Sequence, residues 1–163
     1  MSPEQLLSYI PLIPAAGALV IPFFASRPNA REAVTLATAG LLFLAILSLL
    51  SQFMAGARPE VTLWQVTPIL SISFRLEPLG MLFACVASTL WIVNSVYSIG
   101  YMRGHDEPRQ TPFYVCFAVA LAATMALAFA ANLFTMFIFY ELLTLSTFPL
   151  VSHSPTPEAM RVA

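Results

Sequence analysis

Residues 113–151 read FYVCFAVALAATMALAFAANLFTMFIFYELLTLSTFPLV, and this stretch decides the fold. Its 39 residues carry a single formal charge, on Glu141. A helix crosses the ~30 Å hydrocarbon core of a bilayer with about 20 apolar residues, so the stretch is about twice the length of one span. Asn132 lies near its middle. We therefore predict a tight helical hairpin of residues 113–131 and 133–151, with a single long buried helix as the alternative.

The composition of the whole chain also indicates a membrane protein. Of its 163 residues, 59% are hydrophobic and 9% are charged, whereas soluble domains have roughly 45–50% apolar and 25% charged residues. The net charge is −1, so no basic excess predicts a nucleic-acid partner. All seven basic residues are arginine, and the chain contains no lysine.

Three more apolar segments are long enough to span a bilayer. The first follows Glu4 rather than a basic leader, and no plausible cleavage site follows it, so we expect a retained helix and not a signal peptide. Pro11 and Pro14 inside it are tolerable, because membrane helices accept proline where neighbours satisfy the exposed carbonyls. The predicted fold class is all-α integral membrane, one domain over residues 1–163. The five predicted transmembrane helices cover residues 6–25, 33–54, 78–99, 113–131 and 133–151.

A small β-hairpin is predicted between the second and third helices, over residues 61–77. Apolar and polar residues alternate from Leu70 to Glu77, which is the period of a half-buried strand. The run from Val61 to Val66 is rich in β-forming residues, and Thr67-Pro68 between the two runs is a turn signal. An irregular loop lying on the lipid headgroups is the alternative.

Arginine placement predicts the orientation, because short cytoplasmic loops carry an excess of basic residues. Five arginines fall in the first loop, the third loop and the C-terminal tail, whereas two fall in the hairpin segment. We expect a multi-pass membrane protein with its N-terminus outside and its C-terminus in the cytoplasm. The larger group is Arg27, Arg31, Arg103, Arg109 and Arg161, and the smaller is Arg58 and Arg75.

Glu141 is the candidate functional residue, because it alone is charged deep within a predicted helix. An acidic side chain at the bilayer centre costs roughly 2.5–3.5 kcal/mol on insertion scales, and such residues mark ion or proton pathways. Thr144 lies one turn away on the same face, and Tyr140 and Thr147 extend this polar stripe. We predict proton transfer by Glu141, Thr144 and Tyr140, with Thr147 as a secondary member. A structural role, in which Glu141 only ties helices together, is the alternative.

The chain itself offers Glu141 no obvious cation. Lysine is the usual partner, because its pKa shifts readily on burial, and lysine is absent. His153 is a further secondary candidate, although a surface position is the simpler interpretation. Any opposing cation is therefore expected from another chain. Cys85 and Cys116 have no metal or redox spacing, and we predict no catalytic residue, cofactor site or metal site.

The segment from Asn132 to Val151 resembles the fifth-helix signature of proton-conducting antiporter-type membrane subunits. These subunits occur in respiratory complex I, in membrane-bound hydrogenases and in multisubunit Mrp Na+/H+ antiporters, and the segment looks closest to the Mrp D-type subunit. Three shorter segments are also similar to that family: Arg75–Gly80, Tyr97–Met102 and Pro157–Ala159.

The resemblance implies that Glu141 pairs with a lysine two helices further on, and that the hairpin is the outer-surface β-hairpin of these subunits. Family members have about fourteen helices, so this chain matches their N-terminal portion only. We expect either a split gene, with a second chain supplying the lysine-bearing helices, or a fragment of a longer chain. The expected partners are other membrane subunits, the lipid bilayer, H+ and Na+, and the expected location is the bacterial inner membrane.

The resemblance thus predicts part of a subunit of a proton- and cation-translocating complex, a transporter rather than an enzyme. Two alternatives stay open. The chain could be a structural membrane subunit, or it could belong to the membrane arm of a redox complex such as an NADH dehydrogenase or a hydrogenase. The sequence has no haem, quinone or iron–sulfur motif, so any redox chemistry would lie in partner chains.

Overall fold

The structure is a computed structural model that describes residues 1–105 and 109–151. It is mostly helical, with one small antiparallel sheet. The elements in chain order are α1 (Pro3–Tyr9), α2 (Leu12–Val20), a 3-10 turn (Ile21–Phe24), α3 (Pro28–Met54), β1 (Glu60–Thr67), β2 (Leu70–Arg75), α4 (Pro78–Gly104), α5 (Gln110–Ala128) and α6 (Leu133–Val151).

The described residues contain five helical segments that are long and apolar enough to cross a membrane, which confirms the predicted fold class. The second and third of these segments run about five residues beyond the apolar stretches seen in the sequence. The second begins at Pro28, where proline suits the first turn of a helix, and it takes in Arg31 and Glu32. The third continues to Gly104 and takes in Arg103. These charged residues fit inside helices because they bind one another and nearby polar side chains.

The first membrane segment is not one continuous helix, although the sequence favoured one over residues 6–25. It divides into α1, α2 and the 3-10 turn. Pro11 and Pro14 have no backbone N–H, so the helical hydrogen bonds they would donate are missing. At the break, the Ile13 N–H donates to the Ile10 carbonyl over 3.3 Å, the shorter i to i+3 pattern.

Helix α5 lies in the centre of the bundle and packs against all the other membrane segments. Alanines occupy much of its buried surface, which allows neighbouring backbones to approach closely. The closest approach is at the start of α4, where a β-carbon added to Gly80 would collide with the backbone carbonyl oxygen of Ala128. The alanine-rich sequence had favoured an interior position for this helix, and burial of its residues agrees with that expectation.

The predicted β-hairpin is present, and its strands pair antiparallel. Glu60 lies opposite Arg75, and Val61 lies opposite Phe74. The chain turns at Pro68 and Ile69. Phe74 is almost fully buried against the helices, but the predicted alternation is only partly kept, because the polar Ser73 is also buried and Leu70 is exposed.

Candidate functional site

Glu141 lies near the middle of α6, on the face that points away from the rest of the chain. Helix α6 is the outermost membrane helix and packs mainly against α5 and β2. The Glu141 side chain is exposed, and so are the neighbouring Phe137, Tyr140 and Leu145. Within the described residues, its carboxylate has no hydrogen-bond or ion-pair partner. The bundle therefore leaves this carboxylate facing outward near the middle of α6.

The polar stripe predicted beside Glu141 is formed, but two of its hydroxyls are already in use. The Thr144 Oγ1 donates to the Tyr140 carbonyl over 3.0 Å, and the Thr147 Oγ1 donates to the Thr144 carbonyl over 2.9 Å. Each threonine still offers oxygen lone pairs as acceptors. The Tyr140 hydroxyl lies on the outward face, where the side chain is 57% exposed. His153 lies outside the described residues.

Helix α6 begins at a cap that the sequence interpretation did not use. The Asn132 Oδ1 accepts a hydrogen bond of 2.8 Å from the Thr135 N–H, which satisfies one of the unpaired donors at the helix N-terminus. The Asn132 Nδ2 donates to the Ser73 Oγ over 2.8 Å and to the Ser71 carbonyl over 3.0 Å. One side chain thus caps α6 and joins it to β2.

Backbone hydrogen bonds strengthen the same connection. The Arg75 N–H donates to the Phe129 carbonyl over 2.8 Å, and the Ala131 N–H donates to the Ser73 carbonyl over 2.9 Å. The buried Thr135 Oγ1 also accepts from the Ser73 N–H over 3.0 Å. We call this set of contacts between β2 and residues 129–135 the hairpin–turn junction.

The hairpin–turn junction fixes how deep Glu141 lies. Glu141 follows Asn132 by nine residues, so it lies about 13 Å further along the helix axis, close to half the thickness of a ~30 Å hydrocarbon core. The pattern of asparagine followed by an apolar run signals a helix start and could have been found in the sequence. The partners of Asn132 in β2 are about 60 residues away in the chain and no local pattern indicates them.

A second charged cluster lies at the opposite end of the bundle, where α3 begins and α4 ends. The Arg103 guanidinium donates two hydrogen bonds to the Glu32 carboxylate, from Nε to Oε1 over 3.0 Å and from Nη2 to Oε2 over 2.5 Å. Arg103 also donates to the Asn29 Oδ1. The Glu32 side chain is only 7% exposed, whereas that of Arg103 is 49% exposed. This ion pair connects α3 to α4.

Arg31 connects the same cluster to α5. Its Nη1 donates to the Thr111 Oγ1 over 3.0 Å, and its Nη2 donates to the Gln110 Oε1 over 2.6 Å. The guanidinium lies 5.3 Å from the ring centre of Tyr114, within reach of a cation–π interaction. The sequence interpretation had assigned Arg31 and Arg103 to loops. That assignment is wrong, because Arg31 lies within α3 and Arg103 lies within α4.

No metal site is formed in the part of the chain that the structure describes. Within residues 1–105 and 109–151, no three histidine, cysteine, aspartate or glutamate side chains converge to hold an ion. The expectation that the protein has no metal or cofactor site stays a prediction.

Comparison with known proteins gives this arrangement a context. Residues 67–114 match the family model described as NADH-Ubiquinone oxidoreductase (complex I), chain 5 N-terminus. The NAD(P)H-quinone oxidoreductase subunit 5 of Paulinella chromatophora is 26% identical over 90% of this chain and 24% of its own length. A Na(+)/H(+) antiporter subunit A1 of Staphylococcus aureus is 27% identical over 91% of this chain and 19% of its own length.

The chain is similar to these subunits of a quinone oxidoreductase and of a Na(+)/H(+) antiporter. The resemblance inferred from the sequence is thereby confirmed. These two relatives are a chain-5 type and an A-type subunit, whereas the sequence interpretation compared α6 with the D-type subunit. The archaeal membrane-bound sulfane sulfur reductase has a similar fold, with a TM-score of 0.74 at 16% identity over 90% of this chain and 23% of that chain. The chain spans about a quarter or less of the length of the relatives it matches.

Proposed function

We propose that this chain forms the N-terminal part of an antiporter-like subunit in a multisubunit, proton- and cation-translocating membrane complex. The 163 residues would act as one membrane domain within that subunit. Glu141 would be one half of an ion pair that controls proton transfer. The observation that carries this proposal is the outward-facing carboxylate near the middle of α6, without a partner among the described residues.

The electrostatics of Glu141 require a partner from outside these residues. A carboxylate surrounded by hydrocarbon avoids ionisation unless a cation approaches it. The chain contains no lysine, and both Arg31 and Arg103 are held at the far end of the bundle. A cation that moves toward Glu141 would favour proton release, and one that moves away would favour proton uptake. That alternation is the proposed step, and no covalent bond between heavy atoms is made or broken.

Tyr140 and Thr144 would organise water beside Glu141. The Tyr140 hydroxyl can both donate and accept, and the Thr144 oxygen can accept while its hydroxyl hydrogen stays bonded to the backbone carbonyl. Thr147 and His153 are proposed as secondary members of the same pathway. Other membrane subunits, the lipid bilayer, H+ and Na+ complete the proposed set of partners, with lysine-bearing helices supplied from beyond the 163 residues.

The proposed location is a bacterial inner membrane, with the N-terminus outside and the C-terminus in the cytoplasm. The described α1 start, the hairpin and the turn between α5 and α6 lie on one side of the bundle. The arginine-rich ends of α3 and α4 lie on the other side. The excess of arginine on that second side supports a cytoplasmic assignment for it.

A second candidate function is a membrane-arm subunit of a redox complex. The matching family description and the Paulinella chromatophora relative both refer to NADH or NAD(P)H oxidoreductases. In that case the same proton step at Glu141 would be driven by electron transfer in partner subunits. Addition of NADH to membranes that contain the intact complex separates the two, because only the redox complex would acidify or alkalinise the lumen without an imposed ion gradient.

The test of the proposal is replacement of Glu141 in the complete complex, reconstituted into vesicles. We expect Glu141→Ala and Glu141→Gln to lower proton transfer by roughly 100-fold, because a positioned proton-transfer group typically contributes that much or more. Glu141→Asp keeps the charge on a shorter side chain and should retain part of the activity. Glu77→Gln is the matched control, since Glu77 is exposed at the start of α4 and lies outside the proposed pathway.

The two interpretations of Glu141 differ in the glutamine variant. Glutamine preserves hydrogen bonding and removes only the titration, so a structural role predicts normal transport for Glu141→Gln. Wild-type transport in that variant, with normal assembly, would overturn the proposal.

A further inference from the structure

A groove lies between α4 and α5 at the centre of the membrane segment, and we call it the α4–α5 groove. It encloses about 610 Å³ and is lined mainly by apolar side chains. Two contacts hold the helices together at its ends. Gly80 packs against Ala128 at the hairpin side, and the Gln110 Nε2 donates to the Met102 carbonyl over 3.2 Å at the other. The helices are therefore fixed at both ends and separated between them.

Several polar groups line this groove, and lipid hydrocarbon could not form hydrogen bonds with them. Trp91 is 1% exposed, and its indole Nε1 is a buried donor without a hydrogen-bond partner among the described residues. Asn94 lies three residues further along α4 and also lines the groove. No described residue hydrogen-bonds its amide. Tyr97 and Thr124 place two more hydroxyl groups on the groove wall.

These polar groups lie deep within the helices, where leaving them without hydrogen bonds raises the free energy of the structure. Trp91 is the central residue of α4, thirteen residues from Pro78 and from Gly104, so about 20 Å of helix separates it from each end. Lipid tails cannot accept a hydrogen bond, and an unsatisfied polar group in hydrocarbon costs several kcal/mol. Asparagine in membrane helices typically bonds across to another helix. An occupant of the groove with a hydrogen-bonding side chain would therefore satisfy the Asn94 amide, which has no partner among the described residues.

We propose that the α4–α5 groove receives a transmembrane helix from outside these 163 residues, and that this helix presents a hydrogen-bonding side chain to Asn94. The groove extends from Ala87 to Tyr97, about 15 Å or nearly three helical turns, which suits the ridge of a helix. The relatives are several times longer than this chain, so such proteins have further residues from which the helix could come. The inference is independent of Glu141, which lies on a different helix.

The recognition chemistry follows from the groups on the wall. The amide of Asn94 both donates and accepts, and it is partly exposed, whereas the Trp91 N–H is buried within the chain. A serine, threonine, asparagine or glutamine side chain, or a carbonyl exposed beside a proline kink, would satisfy the Asn94 amide. An unbranched acyl chain would not.

Photocrosslinking tests the occupant in the native membrane. A benzophenone amino acid replaces Val93, which is 59% exposed on the groove wall, and in a separate strain it replaces Leu44, which is 62% exposed near the middle of α3. The intact complex is purified after irradiation, and the adducts are identified by mass spectrometry. We expect the Val93 probe to label a transmembrane peptide that has an acceptor side chain within one turn of the linked atom, and the Leu44 probe to label lipid.

Variants of Asn94 connect the adduct to the hydrogen bond. Asn94→Leu should lower the yield at Val93 by about threefold or more, the ratio expected for one interhelical hydrogen bond. Asn94→Gln should preserve the yield, because the amide remains. Asn94 is only partly buried, so both variants should assemble, and the thermal midpoint of each purified complex checks that they do.

Four results would overturn the proposal. They are adducts with lipid or quinone alone at Val93, an adduct with a second copy of this chain, equal protein labelling from Val93 and Leu44, and a yield that Asn94→Leu leaves unchanged.

Discussion

Glu32 and Glu141 are two glutamates in membrane helices, and the chain surrounds them differently. Glu32 is buried at the end of the bundle and held by two hydrogen bonds from Arg103. Glu141 lies near the middle of α6, exposed, with no partner among the described residues. The first carboxylate is satisfied within the chain, so its role is to connect helices. The second can be satisfied only by groups that these residues do not supply.

The comparison shows that burial of a charge and a functional role are separate properties. A sequence scan singles out Glu141 because its surroundings are apolar, and it ignores Glu32 because arginines lie nearby. The structure adds that the paired charge is the better buried of the two. Substitution of each glutamate should therefore affect different measurements.

The largest stability effect is expected from Glu32→Gln. The change removes the negative charge from Arg103 and leaves a buried amide with poorer partners, so we expect a loss of about 1–3 kcal/mol. Glu141→Gln should change stability by less than about 0.5 kcal/mol, as for exposed positions. Thermal unfolding of the two purified variants in one detergent measures both. Equal shifts for Glu32 and Glu141 would remove the distinction between them.

A double substitution at Glu32 and Arg103 tests whether these two side chains stabilise the protein mainly through each other. If the two side chains act mainly on each other, the double variant Glu32→Gln/Arg103→Gln should be less destabilised than the sum of the two single variants. An amide pair then replaces the ion pair with Arg103, and the nearby Arg31, 3.9 Å from Glu32, loses the same carboxylate in the single Glu32 variant and in the double variant. Additive effects in the unfolding experiment would mean that Glu32 is stabilised by something other than Arg103.

A smaller effect is expected at Asn132, which holds the hairpin end of the helix that bears Glu141. Asn132→Ala removes the cap and the bonds to β2, and caps of this type contribute about 1 kcal/mol. Asn132→Asp keeps the acceptor for the Thr135 N–H but loses the donor to Ser71 and Ser73. Hydrogen exchange at the Thr135 amide, which binds the residue 132 side chain directly, separates the two functions. Its protection should be lost in the alanine variant and kept in the aspartate variant, and equal loss in both variants would contradict this assignment.

The smallest effect concerns Glu60 and Arg75, which face each other across the exposed hairpin. The hydrogen bond from Arg75 lowers the pKa of the Glu60 carboxyl. Because the pKa is lower in the folded state, the stabilisation is present at neutral pH and is lost as the pH falls below the ordinary carboxyl value and through the lowered one. Exposed ion pairs contribute little. Amide exchange of the hairpin between about pH 7 and about pH 3 should show a slight loss of protection that Glu60→Gln abolishes.

Much of the fold was predictable because local patterns specify it. The apolar segments give the membrane helices, the alternation from Leu70 to Glu77 gives β2, and the alanines of α5 indicate its central position. The break at Pro11 was harder, because proline is tolerated in some membrane helices and not in others. Whether a proline breaks the helix depends on the residues packed around it, and those residues are distant in the sequence.

The candidate site was predictable in part. Glu141 stands out as a lone charge, and Tyr140 and Thr144 follow from helical spacing. The bonds of Thr144 and Thr147 to their own backbone depend on side-chain rotamers that the sequence does not specify. The Arg31 contacts and the bonds between Asn132 and β2 join residues about 60 to 80 positions apart, so only the assembled bundle reveals them.

The hairpin–turn junction also determines which strand edges are open. A two-stranded sheet normally exposes the backbone of both outer edges to any passing strand. Here the turn between α5 and α6 occupies the outer edge of β2, through the bridge between Phe74 and Ala130. Only the β1 edge is left among the described residues, and two register irregularities between Thr62 and Thr67 interrupt it. Such irregularities twist an edge away from regular pairing. A surface hairpin with so many exposed apolar side chains is thereby kept from adding further strands.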